Sequence, residues 1–219
     1  MPERQIVAMG GLPDDTLLDY VLDLAGGKRL LYVPTASREE SGRTVYWYER
    51  LTDRARMTNL SFFPWPPADL RELALAQDVI FVSGGNTANA IAIWRTHGFD
   101  EILRDAWAAG VLLTGWSAGM ICWFEHGVTD SFGPELAPID CLGLLPGSAC
   151  PHYDGEERRR PVYTRLVADG FAPGVAADDD VALHYIGDQL REVVTTREGA
   201  TGYRVGPDGE RPLEARLLQ

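Results

Sequence analysis

The sequence is short of histidine, cysteine, positive charge and long apolar runs. Only 4 histidines occur among its 219 residues, so chemistry that needs an imidazole base has few places to find one. The 3 cysteines, Cys122, Cys141 and Cys150, are odd in number and lack the spacing of a zinc site. Cys122 lies in an apolar run, where a free thiol behaves as a small hydrophobe. Lysine and arginine number 20 against 32 acidic residues, giving a net charge of −12. That balance argues against nucleic acid, whose phosphates need a basic footprint, and against anionic membranes. No stretch approaches the roughly 20 apolar residues of a membrane helix. The opening "MPERQIVAMGG" has a short apolar run that ends in glycine, unlike a signal peptide. The expectation is a soluble cytoplasmic protein, monomeric or homodimeric, with neither nucleic acid nor membrane as partner.

What is present is a rhythm. Strand-length apolar runs, "RQIVAMGG", "KRLLYVPTAS", "MTNLSFF", "AQDVIFVSGGN" and "VLLTG", alternate with longer amphipathic stretches. Asp14 is placed to cap the first helix, and a helical stretch from Thr87 breaks near Gly98. Continuous apolar strands alternating with helices predict an α/β fold with a mostly parallel sheet flanked by helices on both faces. After Ser117 the pattern predicts an apolar helix closed by His126. An irregular, partly extended "GLLPGSACPHYD" follows, then a helix after Pro161, and then strands joined by a hairpin at Gly187-Asp188. No linker or repeat divides the chain, so residues 1–219 are expected to form a single domain.

Glycine-rich strand ends "VSGGNT" and "TGWSAG" would meet at the carboxyl edge of such a sheet, where ligands bind in open α/β folds. Gly115-Trp116-Ser117-Ala118-Gly119 is G-x-S-x-G between a strand and a helix, the pattern of a nucleophile elbow. The Ala118 N–H is placed as one oxyanion donor, with a second from the Gly84-Gly85-Asn86 turn; one such donor is worth about 10²–10³ in rate. For the base, His97 and His126 sit at expected helix ends and His184 on a strand face, which leaves His152 in a loop as the leading candidate and His184 as the alternative. For the orienting acid, Asp178, Asp179 and Asp180 stand together at a strand start, where the ordinary reading is a solvated acidic turn.

"GWSAG", "VSGGNT", "PHY" and the late acidic strand start, in that order, resemble the peptidase E family of aspartyl dipeptidases, with cyanophycinase more distant. The resemblance runs from the first strand to about Val205. It implies a flavodoxin-like sheet related to class I glutamine amidotransferases, whose elbow cysteine corresponds to Ser117. It also implies Ser117 as nucleophile, His152 as general base, Asp179 as the acid (a glutamate in the best-known dipeptidases), and Gly85 and Ala118 as oxyanion donors. Arg159 matches an arginine that binds the substrate aspartate, and Asn86 and Tyr153 of the shared motifs are expected beside the substrate. Glu125 and Asp130 depart from the family's small-residue helix and are expected to line the pocket or the surface. The activity the resemblance implies is hydrolysis of a peptide bond in a short peptide, with Asp-X dipeptides as the family's substrates, without metal or organic cofactor. The same elbow would also suit a non-catalytic amidotransferase-like binding module, or another amidase or esterase.

Overall fold

The computed structural model describes residues 3–219. Strands β1 (Gln5–Met9), β2 (Arg29–Val33), β3 (Arg56–Asn59), β4 (Val79–Val82) and β5 (Leu112–Trp116) alternate with helices α1 (Asp15–Ala25), α2 (Ser41–Leu51), α3 (Leu70–Leu75), α4 (Thr87–Thr96) and α5 (Phe99–Ala108). The expected cap is formed: the Leu17 amide donates to Asp14 Oδ1 at 2.9 Å. Beyond the elbow come α6 (Ala118–Ile121), β6 (Phe124–Thr129), β7 (Ala137–Asp140), β8 (Leu145–Cys150) and α7 (Arg159–Ala168). The chain ends with β9 (Gly174–Ala177), β10 (Val181–Ile186), β11 (Gln189–Thr195), β12 (Gly202–Gly206), β13 (Gly209–Pro212) and β14 (Ala215–Leu217).

An eight-stranded sheet has the order β14-β11-β10-β1-β5-β4-β2-β3. It is mostly parallel: β1, β5, β4, β2 and β3 run together, and antiparallel pairing enters where β10 joins β1 and β11 joins β10. Its central strands β1, β2, β4 and β5 are buried on both sides, which is why they read as continuous apolar runs. Side chains alternate. Val7, Met9, Tyr32 and Phe81 pack with Leu17, Leu18 and Trp47 of α1 and α2. Ile6, Ala8, Leu31 and Ile80 pack with Trp94, Phe99 and Leu103 of α4 and α5. Among the described residues no helix is long and apolar enough to cross a membrane.

The sequence reading did not foresee a second, six-stranded sheet, β13-β12-β9-β8-β6-β7. One side of it contributes Leu145, Ala149 and Val175 to the core shared with α4 and α5, and the other lies under α7 through Cys150, Tyr163 and Val167. This sheet corrects the expected helix after Ser117. Helix α6 is only 4 residues long, and Phe124–Thr129 is strand β6. His126 therefore caps no helix: it pairs across the ladder with Asp140, its Nδ1 2.9 Å from the carboxylate. Helix α7 also begins two residues before the expected Pro161.

Candidate active site

The parallel strands β1, β4 and β5 end side by side, and the residues that follow each of them converge there. Ser117 follows β5 with φ 55° and ψ −110°. A positive φ outside glycine costs about 1–2 kcal/mol, so the surroundings must enforce it. They do: its amide donates to the Met9 carbonyl at 3.2 Å, and its carbonyl accepts from the Met120 and Ile121 amides at 2.9 and 3.1 Å. The flanking glycines have a steric reason. A Cβ on Gly115 would lie 2.5 Å from the Val82 carbonyl oxygen, and one on Gly119 would lie 2.4 Å from it. The elbow is thus pressed onto the end of β4, and larger residues at either position would push it off. Trp116 turns inward against Trp47 and Phe81, with ring centroids 5.2 and 5.1 Å away.

The turn after β4 lies against the serine: a Cβ on Gly84 would stand 3.2 Å from Ser117 Cβ. Gly85 is exposed beside it. Among the described residues the Gly85 and Ala118 amides have no hydrogen-bond acceptor.

His152 follows β8, and its amide donates to the Gly10 carbonyl at 3.3 Å. Its φ of 52° is again in the left-handed region. His152 Nδ1 lies 2.7 Å from Asp179 Oδ1. The hydrogen bond from His152 holds the Asp179 carboxyl below the usual carboxylate range against the opposing effect of burial, and Arg197 and Arg159 add to the lowering. An ionised Asp179 can only accept, so Nδ1 carries the proton of this bond and Nε2 is the ring nitrogen that it leaves free.

The acidic run is no solvated turn, because each carboxylate has its own partner. Asp178 is buried and accepts the Thr201 amide at 3.0 Å; burial pushes its carboxyl up. Asp180 accepts Arg197 Nε at 2.9 Å. Asp179 is braced from behind, its amide donating to Asp154 Oδ1 at 2.9 Å and its carbonyl accepting Arg197 Nη2 at 3.1 Å. Arg197 also pairs with Asp154. Sequence reasoning missed both Asp154 and Arg197. Asp154 lay within reach, two residues after His152; Arg197 carried no local signal.

The expected substrate-binding residues differ in how far their side chains are engaged within the protein, and Asn86 also lines a cleft with Gly85. Asn86 is a helix cap: its Oδ1 accepts the Asn89 amide at 2.8 Å and its Nδ2 donates to the Ser131 carbonyl at 2.9 Å. Arg159 is only 3% exposed, with Nε on Glu156 at 2.7 Å and Nη1 on the Val128 carbonyl at 2.9 Å, so it offers no free fork. Tyr153 is buried under α7, where its hydroxyl donates to Glu210 and its ring packs against Tyr203. Glu125 accepts the Gly147 amide at 2.8 Å, at the end of the second sheet opposite Cys150 and His152. Asp130 does line a cleft, shared with Leu136, Glu156 and Glu157. His97 ends α4 as expected. His184 is buried on β10, bonded to Tyr20 and Gln5. The cysteines are buried free thiols, and burial pushes Cys150 up to about 12.

A family model described as Peptidase family S51 matches residues 8–193. The chain is 46% identical over 212 residues to an uncharacterized peptidase, YgaJ, of Bacillus subtilis, covering 92% of each. It is 32% identical over 148 residues to a peptidase E of Shewanella denitrificans, covering 63% of this chain and 62% of that one. Among solved structures, a peptidase from an acI-B1 Actinobacterium superposes with a TM-score of 0.70 at 18% identity, over 97% of this chain and 95% of the other. A putative peptidase E protein from Listeria monocytogenes gives 0.65 at 19% identity, over 89% and 98%. At those identities the two structures speak for the fold alone. The family match over most of the chain, together with the close relative, is decisive: the chain belongs to peptidase family S51 and is a serine-type peptidase.

Proposed function

We propose that the protein hydrolyses a peptide bond in a short peptide through Ser117, His152 and Asp179, and that Asp-X dipeptides are its substrate class. The observation that carries the reading is the 2.7 Å bond between His152 and Asp179; Ser117, at positive φ after a strand, and His152 have their amides on the consecutive Met9 and Gly10 carbonyls. Ser117 Oγ attacks the carbonyl carbon while His152 Nε2 takes the hydroxyl proton. Asp179 holds the ring by Nδ1–H and stabilises the imidazolium that forms. The negative charge on the former carbonyl oxygen is received by the Gly85 and Ala118 amides, which have no acceptor among the described residues. On collapse His152 gives its proton to the leaving amine. A water then repeats the sequence on the acyl-serine and releases the acid. Every proton step passes through the chain's own residues.

The peptidase E of Shewanella denitrificans and the shared motifs support the dipeptide reading. The test is a panel of dipeptides with aspartate, asparagine, leucine or lysine first, assayed with the wild type and Ser117→Ala. The expected result is turnover of the aspartyl members, abolished in Ser117→Ala. Turnover that survives Ser117→Ala, or a preference for another first residue, contradicts it.

A further inference from the structure

A second feature adjoins the same edge and has no part in the steps above. A cleft of about 300 Å³ opens beside Gly85, lined also by Ser37, Arg38, Glu40, Arg43 and Asn89. In a chain of net charge −12, this spot brings two arginines together. The Arg38 amide donates to the Thr35 carbonyl at 3.1 Å, while its guanidinium has no hydrogen-bond or ion-pair partner among the described residues. Arg43 has Glu40 at 3.4 Å, a pair more than half exposed on both sides and therefore weakly held.

The loop is built at a cost. Arg38 and Glu39 stand at φ 63° and 54°, two successive left-handed residues without glycine. Glu39 holds the conformation by spending its carboxylate elsewhere: it accepts the Ser61 hydroxyl and the Phe62 amide, the latter at 2.6 Å. The loop is also locked to the proposed oxyanion turn. The Asn86 amide donates to the Ala36 carbonyl at 2.8 Å, and a Cβ on Gly85 would lie 2.2 Å from that oxygen. Gly85 therefore fits flush against the loop that carries Arg38. A strained, anchored loop that holds an unpaired guanidinium next to an oxyanion donor suits a ligand with an anionic group close to its reacting carbonyl.

We infer that this cleft is a carboxylate subsite in which Arg38, assisted by Arg43, binds a carboxylate of the short peptide. The inference rests on the peptidase reading for what enters the site, and it takes up the role that the buried, engaged Arg159 is not free to fill. A guanidinium offers paired N–H donors to a carboxylate, a geometry that lysine does not reproduce. Two carboxylates of such a peptide lie near the scissile carbonyl: the aspartate side chain and the carboxyl terminus of the residue that leaves.

Calorimetric titration tests it without turnover, using the Ser117→Ala protein with aspartyl-leucine, its carboxyl-terminal amide and asparaginyl-leucine. Arg38→Asn removes the charge with a residue that tolerates a left-handed backbone, and Arg43→Gln serves as a second variant in case the first disturbs the loop. Binding of aspartyl-leucine is expected to weaken about tenfold or more in Arg38→Asn and less in Arg43→Gln. A weak response of the amide to Arg38→Asn assigns the carboxyl terminus to the cleft, and a weak response of asparaginyl-leucine assigns the side chain. No binding of any of the three peptides, or binding that both variants leave unchanged, overturns the subsite. Phosphonate labelling of Ser117 in the wild type judges the peptidase reading separately, so the two can fail independently.

Discussion

The backbone amides of Ser117 and His152 hang from consecutive carbonyls, Met9 at 3.2 Å and Gly10 at 3.3 Å. Two residues 35 positions apart are thereby referenced to a single strand end, one through β5 and the other through the turn after β8. Gly11 continues that strand end against the third member, since a Cβ there would fall 2.3 Å from Asp179 Oδ1. Gly11→Ala must displace the carboxylate from His152. A loss of kcat of about 10²-fold is expected with little change in melting temperature, against about 10⁴ for Asp179→Asn. Steady-state hydrolysis of a short peptide measures both. Full activity in Gly11→Ala would mean that Asp179 need not stand where it does.

Arg197 touches neither the serine nor the imidazole, yet it ties Asp154, Asp180 and the Asp179 carbonyl together. It is about half exposed, so Arg197→Met should cost no more than about 1 kcal/mol of stability. Its effect belongs in kcat, expected to fall about tenfold with KM unchanged, because the acid loses its brace while the substrate cleft is intact. An equal rise in KM would place Arg197 in binding instead.

Asp178 gives a pH prediction. Burial raises its carboxyl in the folded chain, so over the interval between its unfolded and folded values the native state holds more proton than the unfolded state. Stability conferred through this group is therefore lost as pH rises through that interval and regained as pH falls. Asp178→Asn removes the charge and can keep the acceptor for the Thr201 amide. Its melting temperature should equal or exceed the wild type at pH 7, with the difference closing as pH falls through the raised folded-state value. A difference that widens on acidification would contradict the sign.

Glu125→Ala and His126→Ala separate the observed second sheet from the expected helix. Glu125→Ala should lose about 1 kcal/mol with its bond to Gly147, and His126→Ala less. Neither should change kcat/KM by more than about twofold. A large kinetic defect at Glu125 would return it to the substrate pocket.

The main sheet was legible in the sequence because its central strands are buried on both faces and separated by amphipathic helices. The elbow was legible because its glycines are required by the close approach to Val82. The second sheet was not. "MICWFE" is apolar without a period, and such a run reads equally well as buried helix or strand. Strands β7, β8 and β13 carry Pro138, Pro146 and Pro212, which weaken any strand signal. His152 stood out because a loop after a strand is where chemistry collects, and the candidate acid was confined to three neighbours. Only the break between β9 and β10 distributes those three, sending Asp178 to Thr201, Asp179 to His152 and Asp180 to Arg197. The engagement of Arg159 was not legible, because composition cannot distinguish a free guanidinium from one already bonded to Glu156 and Val128.

The central claim is that Ser117 is activated by His152. Its most direct test is labelling of the purified protein with a fluorophosphonate, followed by intact mass and peptide mapping, with His152→Ala and Asp179→Asn alongside. The account predicts one adduct, on Ser117, formed at least about 10²-fold more slowly in His152→Ala. An adduct elsewhere, an equal rate in His152→Ala, or no adduct even with a small phosphonylating reagent would contradict it.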